Sequence, residues 1–234
     1  MIAKPQASGG DVVPVGLEFL PPPPLEKSAE FGRDAAFYQE TRKLKGSARW
    51  AQAAFDADEK NAGKLFADSF RIALSAETTP STLALVNFAN GYANKVVRSA
   101  KDRYERTRPF AYFKEAAGST CEPRSEAKTK TNDSYPSGHG ARGWISALVL
   151  SEISPDRQGA ILKRGYEIGQ SRAICGAHWQ SDVDIARLAA AAALAQLHNN
   201  AEFAALLERA KREIAALRSA ASSTVPIVSS EGGG

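Results

Sequence analysis

The chain has 234 residues, 43% of them hydrophobic and 24% charged, a balance that suits a folded globular protein with a sizeable core. A net charge of +4 with dispersed basic residues excludes a dedicated nucleic-acid binder but leaves room for a local basic pocket that takes small anions. No run of about 18 apolar residues reads as a membrane span, and the opening MIAKPQASGG lacks the apolar core of a signal peptide.

Residues 1–30 are rich in Pro and Gly, with prolines at every position from Pro21 to Pro24, and read as an extended, partly polyproline arm lying on the domain. From about Phe31 the pattern turns helical and stays so. The spacing predicts helices over roughly 33–45, 47–58, 61–76, 81–106, 138–153, 156–173, 179–198 and 200–218. The last shows the period best: Phe203, Leu206, Leu207, Ala210, Ile214 and Leu217 form one stripe. No segment alternates strongly enough to read as a strand. The polar stretch 114–135 is the one long loop, and long loops in compact domains often carry function. Residues 221–234 read as a flexible tail. The expectation is one all-α domain over 31–220, a single helical bundle without internal repeats.

Three clusters carry unusual chemistry. In KDRYERTRPF, Lys101 and Arg108 are seven apart, so both heads are expected to leave one helix face, with Pro109 ending that helix and Arg108 at its exposed end. Alone, a solvated basic face explains that cluster. In DSYPSGHGARGW, Ser137 is a natural N-cap, Gly138 admits a close approach, and Trp144, Ile145, Leu148, Val149 and Ile153 repeat at helical spacing behind His139. Such a helix start binds anions through its free N–H groups and dipole. An ordinary capped helix with a surface histidine is the competing reading. In SRAICGAHWQSD, Arg172 precedes His178 by six residues and Asp182 follows it by four. With a helix beginning near His178, Asp182 lies one turn along and can accept the proton of one imidazole nitrogen, leaving the other lone pair exposed.

Together these supply three cations (Lys101, Arg108, Arg172), an anion nest at Ser137 and Gly138, two histidines (His139, His178) and an orienting carboxylate, Asp182. Each suits a tetrahedral, doubly negative group. No Asp/Glu/His cluster has two-metal character, so neither metal nor cofactor is expected, and the cations must do the electrostatic work. The third histidine, His198, lies outside the clusters and reads as surface or packing. Tyr104, Tyr135 and Trp179 sit within or beside the clusters, suited either to stacking on a substrate ring or to packing around the site. Cys121 and Cys175 have no metal-site spacing and fit one disulfide or two buried thiols.

Lys101 with six residues before Arg108-Pro109, then Pro136-Ser137-Gly138-His139, then Ser171-Arg172 with five before His178 and three before Asp182, resembles the three-part signature of a known superfamily. Its members are the type 2 phosphatidic acid phosphatases and the vanadium-dependent haloperoxidases. LPPPP, SYPSGH, LKRGYEIGQSR and ICGAHWQSDVD are similar to the soluble bacterial class A nonspecific acid phosphatases, from about Leu20 to the C-terminal helix. The resemblance departs at Asp133, where that family has Gly, and at Gly140, where it has Thr. Both are expected to flank the pocket mouth and to bear on leaving-group preference.

The resemblance implies a metal-independent phosphomonoesterase of broad specificity, acting on nucleotides, sugar phosphates or aryl phosphates, with phosphoryl transfer to alcohols or nucleosides as a further outcome. It implies His178 as the nucleophile, Asp182 as its support, and His139 as general acid and then base. Lys101, Arg108, Arg172, Ser137 and Gly138 would hold the phosphate oxygens. A vanadium haloperoxidase is the alternative on the same pocket. A homodimer or higher homo-oligomer is expected, in the periplasm or secreted, its signal peptide missing from this sequence, with neither nucleic acid nor membrane as partner. If the three motifs converge on one phosphate, Cys121 and Cys175 become neighbours. A Cys121–Cys175 disulfide is then expected, in an oxidising compartment, against two buried thiols in a cytosolic protein.

Overall fold

A computed structural model describes residues 16–58, 61–116, 118–122 and 130–223. Positions 1–15 of the expected arm and 224–234 of the expected tail lie outside them. The helices are α1 (Gly16–Phe19), α2 (Ala29–Arg42), α3 (Ala48–Asp58), α4 (Ala62–Phe70), α5 (Pro80–Tyr104), α6 (Pro109–Tyr112), α7 (Gly138–Ile153), α8 (Gln158–Cys175), α9 (Gln180–Leu197) and α10 (Ala201–Ser223). Among the described residues there is no strand, and the fold is all-α.

Each helix expected from periodicity is present, with ends displaced where local chemistry decides. α2 starts four residues early because the Ser28 hydroxyl accepts from Phe31 N at 3.1 Å. α4 stops at Phe70, six residues short, because Arg71 turns left-handed at φ 63°. α1 and α6 span four residues each, too short for a period to register. The C-terminal helix runs through Ser223, three residues into the stretch read as tail.

α7 sits at the centre, packed against α5, α8 and α9. That position explains its apolar composition on every side: Ile145, Val149 and Leu150 are all fully buried. α7 and α8 approach closely through paired glycines. A Cβ on Gly165 would lie 2.3 Å from Ala147 Cβ, and one on Gly143 would lie 2.6 Å from Ile168 Cγ2. The alanines of α9 (Ala186, Ala189, Ala190, Ala193) are all fully buried in the same core. α10 covers α5 with its predicted stripe; only Leu217, at the far end, is left 36% exposed. Glu213 of α10 accepts from Ser81 N and Thr82 N, each at 2.9 Å, and so caps α5, whose own N-cap side chain makes no such bond.

A second cluster, Phe31 and Tyr38 of α2 with Phe113 and Trp179, seats α2 on the start of α9. The Pro-rich segment is tied down at two points. Leu20 enters the main core, and the Pro21 carbonyl accepts from the Tyr135 hydroxyl. No helix among the described residues is long and apolar enough to cross a membrane.

Candidate active site

Lys101 lies in the last turn of α5, and its Nζ donates to the Asp133 carbonyl. Arg108 is not on that helix. α5 ends at Tyr104 because Glu105 turns left-handed at φ 42°, and Pro109 starts α6 rather than stopping α5. Arg108 is therefore an extended residue folded back into the protein, not an exposed helix end. Asp133 Oδ1 accepts from its Nε at 2.9 Å and its Nη2 at 2.7 Å, while the Ala177 carbonyl accepts from Nη1 at 2.7 Å. The same Nη1 lies 3.1 Å from His178 Nε2. Lys101 and Arg108 still meet at one site, but through a chain reversal instead of a shared helix face.

The second motif opens α7 as expected. The Ser137 hydroxyl accepts from Gly140 N at 3.1 Å, and Ser137 N donates to the Asp182 carbonyl at 3.0 Å, joining the second motif to the third. Gly138 and His139 are the first two helical residues, whose amides have no partner within the helix. His139 Nε2 is buried without a hydrogen-bond partner among the described residues. Gly140 departs from its expected place. It faces α9, where an added Cβ would come within 3.2 Å of Ala186 Cβ, and does not flank the cavity.

His178 lies two residues before α9, and Asp182 is the third residue of that helix. The imidazole Nδ1–H donates to the Ser134 carbonyl at 2.8 Å; Asp182 Oδ2 is farther, at 3.5 Å. A main-chain oxygen therefore sets the tautomer that was expected of Asp182, and Nε2 is the nitrogen left towards Arg108. Asp182 is engaged elsewhere. Its Oδ2 accepts from Trp179 N at 2.8 Å and from the Ser134 hydroxyl, and its Oδ1 accepts from Arg106 Nη1 at 2.6 Å. It thus holds both segments that flank His178, with its charge just behind the ring.

Arg106, which sequence reasoning missed, ties this network to α2. Asp34 Oδ2 accepts from Arg106 Nη2 at 2.7 Å, and Asp34 Oδ1 accepts from Ser181 N at 2.9 Å. All three charged groups are buried. Arg172 is buried too, its Nη1 2.7 Å from Glu122 Oε2 and its Nε unpartnered among the described residues. Glu122 is held there by its neighbour. The Cys121–Cys175 disulfide, with Cα atoms 4.8 Å apart, pins the loop after α6 to the end of α8.

These segments enclose a cavity of about 290 Å³. Lys101, Arg108, Gly138, His139 and His178 line it, as do Asn94, Arg98, Asp133 and Arg142, of which only Asp133 was singled out by sequence. Ser137, Arg172 and Asp182 are buried next to it and do not line it directly. The aromatic residues pack around the site: Tyr135 and Trp179 are buried, Tyr104 sets its edge on Tyr135, and none of them lines the cavity. His198 is a half-exposed side chain 3.3 Å from Glu152. No group of three or more His, Cys, Asp or Glu side chains among the described residues is placed to hold a metal ion.

So many cations in a partly buried space depress one another. Burial, then Arg108, Lys101 and Arg172, holds the His178 imidazole well below the usual histidine range. Burial, then Arg172 and Arg142, does the same to His139. Burial and Arg108 push the Lys101 ammonium down to about 8. A lysine with a lowered pKa is charged below that value and neutral above it. Affinity for inorganic phosphate should therefore weaken as pH rises through about 8, by about tenfold one pH unit higher. Lys101→Arg keeps its charge, so its inhibition constant for phosphate should stay flat from pH 7.5 to 9.5; a variant that reproduces the wild-type slope would remove Lys101 as its source.

The sequence pattern of the PAP2 superfamily matches residues 81–203, a span that holds all three motifs. The chain is 47% identical to a non-specific acid phosphatase of Providencia stuartii, over 86% of this chain and 82% of that protein. It is 41% identical to a non-specific acid phosphatase of Salmonella typhimurium, over 84% of this chain and 78% of that one. With an acid phosphatase of Zymomonas mobilis the identity is 36%, over 88% and 77%.

Proposed function

The chain belongs to the PAP2 superfamily and is an acid phosphatase, and from that premise we propose that it hydrolyses phosphomonoesters through a phosphohistidine on His178, without a metal ion. The observation that carries this reading is the meeting of His178 Nε2, Arg108 Nη1 at 3.1 Å and His139, whose Nε2 has no partner among the described residues, on one cationic cavity. An unpartnered buried polar nitrogen costs about 1–3 kcal/mol, a cost that a bound phosphate ester would offset.

In the proposed reaction, His178 Nε2 attacks phosphorus in line, the N–P bond forms, and the P–O bond to the leaving group breaks. His139 gives its proton to the departing oxygen, then takes one from the water that attacks the phosphohistidine, releasing inorganic phosphate and free His178. Lys101, Arg108, Arg172, the Ser137 hydroxyl and the Gly138 N–H hold the equatorial oxygens as charge spreads over them. Asp182 supports the positive charge that His178 gains.

The lowered pKa of His178 suits work at mildly acidic pH. A depressed pKa keeps His178 unprotonated, hence nucleophilic, at a pH where an ordinary imidazole would be charged. His139 must be protonated to act as acid, and the entering phosphate dianion supplies the negative charge that raises its proton affinity. The disulfide fits an oxidising compartment, which supports a periplasmic or secreted location.

Phosphate release from p-nitrophenyl phosphate and from an alkyl phosphate, both in excess EDTA, tests this reading. Wild-type turnover should be undiminished by the chelator. His139→Ala should lose roughly a hundredfold to ten-thousandfold on the alkyl ester and much less on p-nitrophenyl phosphate, whose leaving group hardly needs a proton. Equal losses on both esters would remove His139 from the acid role. Inactivation by EDTA with rescue by a divalent cation would overturn the metal-free mechanism.

A further inference from the structure

Two cations of the cavity wall, Arg98 and Arg142, are used neither by the motifs nor by the proposed reaction, and of these Arg142 is the one without a carboxylate partner among the described residues. It lies one turn beyond His139 on α7, so the two side chains share a face, with Cβ atoms about 5–6 Å apart. It lines the cavity and is only partly exposed. Its neighbours differ from those of the other arginines there. Arg108 is held by the Asp133 carboxylate, Arg172 lies against Glu122, and Arg98 pairs with Asp102 at 3.0 Å. Arg142 instead donates Nη1 to the neutral amide oxygen of Asn94, at 3.3 Å, and no carboxylate among the described residues lies within ion-pair distance. A guanidinium that is partly desolvated and lacks a counter-charge is a standing site for an anion.

Its position says which anion. The phosphate oxygens already have Lys101, Arg108, Arg172 and the α7 amides. His139 hands its proton to the leaving oxygen, so whatever that oxygen carries emerges along the α7 wall, beside Arg142. We propose that Arg142 binds a second anionic group on the leaving-group side, so that the enzyme favours phosphomonoesters whose alcohol also carries a negative charge close to the ester oxygen. This rests on the reading of the site as a phosphomonoesterase with His139 as the acid. Asp133, the carboxylate on the cavity wall, does not oppose it, because its Oδ1 is committed to Arg108.

Phosphoglycolate and hydroxyethyl phosphate test it, being nearly isosteric esters that differ in the charge of the leaving group. In Arg142→Gln the ratio of kcat/KM for phosphoglycolate over hydroxyethyl phosphate should fall about tenfold or more from its wild-type value, the scale of one charge-assisted hydrogen bond. Arg142→Lys should keep the ratio within about threefold, since the charge remains. A ratio unchanged in Arg142→Gln, whatever the absolute rates, overturns the proposal. Wild-type enzyme alone supplies a second measurement, should the glutamine variant fold poorly. Phosphonoacetate should inhibit at least about tenfold more strongly than hydroxyethylphosphonate, and equal inhibition would also overturn it. Failure of the wild-type enzyme to turn over either ester would instead overturn the phosphomonoesterase reading on which it rests.

Discussion

Replacing His178 with alanine should stop phosphate release from every ester, with a loss of roughly ten-thousandfold or more, the scale seen when a covalent nucleophile is removed. The expectation follows from the position of the ring. Nδ1 is held by the Ser134 carbonyl at 2.8 Å, so the lone pair on Nε2 faces the cavity, 3.1 Å from Arg108 Nη1. His139 is not expected to substitute, because in the proposed reaction it serves the leaving group. Rapid acid-free quenching of the wild-type enzyme with substrate, followed by peptide mass spectrometry, should find an acid-labile phosphoryl group on the peptide carrying His178. The His178→Ala variant should show none. A phosphoryl adduct on any other residue would falsify the assignment.

Arg106→Met should produce the largest loss of stability of any single change at the site. Arg106 stands between Asp34 and Asp182, at 2.7 and 2.6 Å, with all three side chains buried. Removing it leaves two buried carboxylates without their shared counter-charge, a change that typically costs about 3–5 kcal/mol. In a chain of this size that lowers the unfolding midpoint by roughly 10 °C. Activity should fall as well, since Asp182 holds both Trp179 N and the Ser134 hydroxyl, the supports on either side of His178. Adding Asp34→Asn should recover a large part of the stability by removing one of the orphaned charges. Thermal unfolding of the single and double variants measures this. A single variant that melts within about 2 °C of wild type would mean that the network contributes little.

The contrast between His178 and Arg106 shows where the sequence is readable. His178 stands out because its offsets from Arg172 and Asp182 match the third part of the family signature, whereas a His–Asp pair standing alone reads more readily as structural. Arg106 lies in KDRYERTRPF among three other basic residues, and nothing in that string separates it from a solvated surface arginine. Arg142, a single turn past His139, was equally silent. Its significance lies in which carboxylates do not reach it.

From the sequence alone came the all-α architecture, because a 3.6-residue period is a local property that survives whatever packs against it. The short-range parts of the site came the same way: the Ser137 cap, the helix start at Gly138, and the spacing of Arg172, His178 and Asp182. The Cys121–Cys175 pairing followed from requiring the motifs to meet, and the structure holds that bond. Tertiary structure alone decided which partner each group takes. The left-handed turn at Glu105 carried Arg108 off the helix face it was expected to share with Lys101. Gly140 turned towards Ala186 rather than the cavity. Above all, the imidazole took its bond from the main-chain oxygen of Ser134, 44 residues away, in preference to the carboxylate one turn along. Every residue carries such a carbonyl, so no side-chain pattern can mark the one that folding will deliver.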